Sequence, residues 1–112
     1  MQVADGVECD TYTFDNRDDV DLGIIKIQPN AKTPRQKVLN GENTIEGYIS
    51  GKGKLVVERE NGNVDIYDTD KDVKVSVGIG DIMPWTASED TPLVAYELCY
   101  PPYKDGRYEN LE

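Results

Sequence analysis

Apolar residues in this chain come in short runs rich in valine, isoleucine and tyrosine, each closed off by glycine, proline, asparagine or aspartate. That spacing belongs to an antiparallel all-β domain, and no segment holds a helical period. The pattern predicts strands over Tyr12–Phe14, Asp21–Gln28, Gln36–Leu39, Thr44–Ser50, Lys54–Glu60, Asn63–Tyr67, Asp72–Val77, Asp81–Met83 and Leu93–Tyr100. Pro29-Asn30, Asn40-Gly41, Gly51-Lys52-Gly53, Asp68–Asp72, Gly78-Ile79-Gly80 and Ser88–Pro92 supply turn residues between them. Asn61-Gly62 predicts a two-residue type I′ hairpin, in which both central residues take positive φ. The two prolines at Pro101 and Pro102 cannot donate to a central ladder, so the last strand should end near Tyr100 and the rest of the tail reads as linker.

So many short strands must stack as two sheets or close on themselves, because open edges invite aggregation. The 112 residues are the length of one domain. We expect a single unit over residues 1–112, with its core over about 20–103 and both tails peripheral.

Charge narrows the partners. With 22 acidic against 12 basic residues the net charge is −10, which repels a phosphate backbone and an anionic bilayer, so neither nucleic acid nor a membrane is expected as a partner. The first residues lack a basic region followed by an apolar run, and no stretch is long enough to span a bilayer, so a cytoplasmic protein is expected. Cys9 and Cys99 stand far apart without a CxxC partner and read as plain thiols, Cys99 as a buried one.

The chain contains no histidine. That removes Ser-His-Asp and Cys-His nucleophiles, and no phosphate-binding or dinucleotide glycine motif is present; Gly51-Lys52-Gly53-Lys54 leads into a strand, whereas a P-loop leads into a helix. The run Asp65–Asp72 has alternate acidic residues but lacks the central glycine and closing glutamate of a calcium loop, and reads as a solvated turn.

Glu46 to Gly53, a glutamate separated by six residues from a glycine, resembles the second half of the first cupin motif, and Val77-Gly78-Ile79-Gly80-Asp81 resembles the opening of the second, with Pro84 or Thr86 near its usual proline. The resemblance covers roughly Ile24 to Tyr103 and implies an all-β, single-domain cupin-type jelly-roll β-barrel of two antiparallel sheets. In that family the glutamate points into the barrel and often binds a metal together with histidines. Here the histidine positions fall within Leu39–Glu42, and the loop Trp85–Pro92 is shortened and acidic, so the expectation is a member with no metal and no cofactor.

Alternation places Glu46, Tyr48 and Ser50 on one face of their strand. If that face is the interior, Glu46 is a candidate general acid or base and Tyr48 its partner; the alternative is that Glu46 is solvated or paired with Arg35 or Lys37. Trp85, Tyr48, Tyr96 and Tyr100 belong to segments that surround the mouth of the barrel in the cupin arrangement, where they would either contact a ligand or fill the core. Arg35 and Lys37, in the one dense basic cluster, would receive an anionic group or sit exposed at a strand entry.

Two functions follow. In one, the chain binds a small polar metabolite of the sugar or organic acid type without metal, through Arg35, Lys37, Trp85 and Tyr96, with isomerase- or epimerase-type proton transfer by Glu46 and Tyr48. In the other, it is a non-catalytic structural or interaction barrel, a homodimer assembled through Ile24, Ile25, Ile27 and the Pro101–Tyr103 segment.

Overall fold

The computed structural model describes residues 2–41, 43–69, 73–101 and 108–111. They form twelve strands: β1 (Gln2–Ala4), β2 (Val7–Phe14), β3 (Arg17–Ile27), β4 (Gln36–Val38), β5 (Asn43–Gly51), β6 (Gly53–Glu58), β7 (Val64–Asp68), β8 (Lys74–Val77), β9 (Ile82–Met83), β10 (Trp85–Ala87), β11 (Leu93–Tyr100) and β12 (Tyr108–Asn110). No helix occurs among the described residues, so none is long and apolar enough to cross a membrane.

The strands pair antiparallel in two sheets. One has the order β1-β2-β3-β11-β5-β8; the other has β10-β6-β9-β4-β12, with β7 added beside β6. The period of two dictates what lies between them. Val7, Ile25, Ile27, Val75, Val77, Leu93 and Ala95 from the first sheet meet Val38, Leu55, Val57, Met83, Trp85 and Ala87 from the second, all buried in one cluster. Ile24 lies on the opposite face from Ile25 and Ile27, so of the isoleucines expected to form an outer surface only Ile24 does so.

The glycine turn after Glu46 has a steric cause. A Cβ on Gly51, which takes φ of 92°, would stand 1.9 Å from the Pro92 carbonyl oxygen, and one on Gly53 would stand 2.1 Å from that of Thr86. Neither position has room for a side chain, because the hairpin joining β5 to β6 crosses the backbones of β10 and β11.

Three expectations are corrected. The hairpin at Asn61-Gly62 is not a two-residue type I′ turn: Arg59 N donates to Asn63 O at 2.7 Å, Gly62 N donates to Arg59 O at 2.9 Å, and Gly62 takes φ of 93° while Asn61 does not take a positive φ. That is a three-residue loop, a type I turn closed by a left-handed glycine, and Asn61 Oδ1 steadies it by accepting from Asn63 N at 3.0 Å. Trp85–Ala87, placed in a loop by the resemblance to the second cupin motif, is a strand pairing Leu55 through Gly53. The tail is not all linker, since β12 pairs with β4 from Tyr108 to Asn110. Asp70 and Asp72 of the acidic run, and Pro102 and Tyr103 of the tail, lie outside the described residues.

Candidate functional site

On the inner face of the first sheet, one row runs in register across five strands: Thr11, Gly23, Glu97, Glu46 and Val75. Two glutamates are therefore direct cross-strand neighbours, an arrangement that like charges disfavour. Beside them Gly23 brings no side chain, and the space left by this row is part of an interior cavity of about 190 Å³. Val7, Ile25, Met83 and Trp85 give it an apolar wall; Glu46, Glu97, Asp21, Cys9, Cys99, Gln36 and Tyr108 bring polar groups to it.

Glu46 is 1% exposed. Its Oε1 accepts from Trp85 Nε1 at 2.7 Å, whereas its Oε2 has no hydrogen-bond donor within reach. Burial, the facing Glu97 carboxylate and a direct contact with it hold the Glu46 carboxyl well above the usual carboxylate range, against a smaller opposing pull from Trp85. Glu97 Oε1 accepts from Tyr108 Oη at 2.5 Å and from Cys99 Sγ at 3.0 Å. Among the described residues, no lysine or arginine lines the cavity.

The neighbouring groups respond to burial and to Glu97. Burial first, then Glu97, pushes the Cys9 thiol up to about 11. The same two causes, in the same order, hold the Tyr108 hydroxyl far above its ordinary value.

Of the residues singled out in the sequence, Glu46 and Trp85 meet in the cavity and bond to each other. Tyr48 faces inward but packs against the core, its hydroxyl donating to Gly51 O at 2.8 Å. Ser50 does not continue that line, because a bulge at Ile49 shifts the register and sets Ser50, exposed, opposite Val94. Tyr96 lies on the outer face, its ring over Gly47, where a Cβ would fall 2.0 Å from the ring. Arg35 makes two hydrogen bonds to Glu58, at 2.9 and 3.0 Å, and with Lys37 alternates with the cavity-lining Gln36. Tyr100 stacks beneath the Arg17 guanidinium at 5.9 Å.

Glu97, Asp21, Cys9 and Tyr108 were not among the candidates. The signal for Glu97 was present: Leu93, Ala95, Glu97 and Cys99 share one parity, which puts a carboxylate in an otherwise buried row. Tyr108 carried no signal, since its strand is too short and polar to be read from pattern.

Two facing antiparallel sheets, with a glycine turn following an inward glutamate, make this a cupin-type jelly roll. The solved structures it matches include several of Bacillus subtilis oxalate decarboxylase: the structure at pH 4.6, with a TM-score of 0.80 at 17% identity over 99% of this chain, and a tryptophan-to-tyrosine variant, with 0.70 at 19% over 83%. A third, also at 0.80 and 17%, concerns the Mn(II) centres of that enzyme. The chain spans about 29% of the length of the first and third of these. No family model and no curated protein matches the sequence.

The chain has no histidine, and among the described residues no three of His, Cys, Asp and Glu converge as ligands. Of the segment where histidines would fall, Leu39 is 41% exposed and Glu42 lies outside the described residues.

Proposed function

We propose that this chain binds a small organic molecule in the interior cavity without a metal, and that the polar group of the ligand is received by Glu46. The observation that carries this reading is a buried pair of facing carboxyl groups, Glu46 and Glu97, on a cavity of about 190 Å³, with Glu46 Oε2 receiving no donor from the described residues. Buried polar atoms in folded proteins have partners, and one left open beside an empty volume is where a ligand supplies the partner. A cavity of about 150 Å³ already holds benzene, so the ligand has on the order of ten non-hydrogen atoms or fewer.

The chemistry available is proton transfer. Glu46, whose carboxyl burial and Glu97 hold well above the usual range, would be the proton-carrying group in isomerase- or epimerase-type chemistry. Arg35 and Lys37 do not line the cavity, so neither would receive an anionic group of a ligand there. A thermal-shift screen of small neutral and charged molecules tests the reading, since a ligand of the folded state raises the melting temperature. The shift should vanish in Cys9→Trp, which fills the cavity; a shift that survives there places the ligand elsewhere.

A second reading, homodimer formation, is favoured by the outer face of the first sheet. Tyr12, Leu22, Leu98 and Ile45 lie side by side across four strands. The adjacent row runs Asp10, Ile24, Tyr96, Gly47, Lys74, acidic at one end and basic at the other. A two-fold axis through such a row sets each Asp10 against the other copy's Lys74, the self-complementarity that an isologous contact needs. Light scattering at micromolar concentration should give a dimer mass that Leu98→Glu reduces to monomer; a monomeric parent protein removes this reading.

A further inference from the structure

A sheet edge is an open row of backbone donors and acceptors, which proteins cover, shorten or blunt. Most edges in this fold are managed in that way. On β8 the Ser76 carbonyl accepts from Arg59 Nη1 at 2.9 Å. On β10 the Trp85 carbonyl accepts from Thr33 N and Ala87 N donates to the Ala31 carbonyl, both at 2.9 Å. β1 and β12 are only 3 residues long each. The edge at β7 is different: its 5 residues pair with β6 along one side, and no described residue pairs with the other.

The register of β7 shows which backbone groups face that open side. The ladder is hydrogen-bonded at both ends, where Arg59 N donates to Asn63 O at 2.7 Å and Thr69 N donates to Gly53 O at 3.1 Å. Bonding alternates along an antiparallel pair, so Asp65 and Tyr67 turn their N–H and C=O groups to β6, while Val64, Ile66 and Asp68 turn theirs outward. The side chains of Val64 and Ile66 stand on the outer face, 55% and 63% exposed. Asp65 and Tyr67 point the other way and bond to Arg59. The strand has neither the lysine nor the proline that commonly blunts an edge.

The geometry points to this edge as a contact between two copies of the chain, β7 pairing antiparallel with β7 of the second copy about a two-fold axis at Ile66. The sequence suits that axis. Ile66 meets Ile66 of the second copy, and because Val56 stands beside Ile66 on β6, an apolar row Val56–Ile66–Ile66–Val56 crosses the joined sheet. Val64 meets Asp68 and Asp65 meets Tyr67, so no carboxylate faces another across the axis, although each copy has a net charge of −10. Moving the axis to Asp65 or to Asp68 sets two carboxylates directly opposite each other. β7 belongs to the second sheet, so this contact is separate from the first-sheet face at Leu98, and it does not depend on what the cavity holds. One short strand makes a small interface, so the association should be weak, with a dissociation constant on the order of 100 µM.

The test uses the full chain with Leu98→Glu, which removes the first-sheet contact, in sedimentation runs from about 10 µM to about 1 mM. The average mass should rise toward twice that of the chain. Over the same range the amides of Val64, Ile66 and Asp68 should become slower to exchange with deuterium, while those of Asp65 and Tyr67 stay as they are. Adding Ile66→Pro removes one outward donor and no bond to β6, so the fold should survive and the association should weaken at least about tenfold. Val64→Asp, which leaves every backbone bond in place, sets a carboxylate against Asp68 twice across the axis and should weaken association about threefold or more. A Leu98→Glu protein that is monomeric at every concentration, association that Ile66→Pro and Val64→Asp leave unchanged, or slowed exchange only at amides outside β7 overturns the inference.

Discussion

Two polar clusters in this protein solve opposite problems. At one end of the fold, Arg59 is surrounded by acceptors: Asp65 at 2.9 Å, Asp81 at 3.1 Å, the Ser76 carbonyl at 2.9 Å and the Tyr67 hydroxyl at 3.3 Å. Asp81 in turn accepts from the backbone N–H groups of Glu60 and Gly78, both at 3.0 Å, so it fastens the β6–β7 hairpin to the turn before β9. The guanidinium is held above its ordinary value, chiefly by Asp65. In the interior, by contrast, Glu46 and Glu97 face each other and, among the described residues, no cation lines their cavity and Glu46 Oε2 receives no donor. A polar cluster whose donors and acceptors match contributes to stability; one left unmatched beside a cavity is where a ligand can contribute.

Breaking each cluster should therefore have opposite results. Asp81→Ala strands the Arg59 donor and two backbone N–H groups, and should lower the unfolding free energy by about 2–4 kcal/mol in urea titration; a loss below about 1 kcal/mol would mean that water replaces the carboxylate. Trp85→Phe keeps the ring packing but removes the donor to Glu46, and should lower stability by about 1–2 kcal/mol.

Glu46→Gln should do the reverse and raise the melting temperature, by a margin that widens with pH. The folded protein keeps Glu46 protonated where the unfolded chain, ionising near 4.5, has already lost that proton, so the parent protein loses stability as pH rises from about 4.5 through the raised folded value. Below that window the parent and the variant should melt together, and a pH-independent difference would remove the assignment of the proton. Arg35→Ala gives the smallest effect: it breaks a half-exposed pair with Glu58, 38% and 34% exposed, and should cost about 0.5 kcal/mol or less. It should leave the thermal shift given by a cavity ligand unchanged, because Arg35 does not line the cavity.

The alternation of apolar residues made the long strands legible, and the glycines at 51 and 53 made the turn after Glu46 legible, because each signal is local. What could not be read was anything fixed by strands meeting from far along the chain. Glu97 faces Glu46 only because β11 inserts between β3 and β5, and Tyr108 reaches Glu97 only because β12 pairs with the edge at β4. Basic residues drew attention to Arg35 and Lys37, yet alternation alone turns both away from Gln36 and the cavity. The type I′ expectation failed for a related reason: Asn61-Gly62 has the composition of that turn, but the Arg59–Asn63 pairing sets the loop at three residues.

The bulge at Ile49 gives β5 two independent halves. The half containing Glu46 answers to Glu97, and the half ending at Gly51 answers to the backbone at Pro92. An unpaired residue between them works as a mechanical clutch, so a change of length in the turn can be absorbed at position 49 before it rotates the carboxyl out of the cavity. Loop variation at that end of the molecule is thereby uncoupled from the interior, which leaves the rim free to differ in shape while the interior pair stays in place.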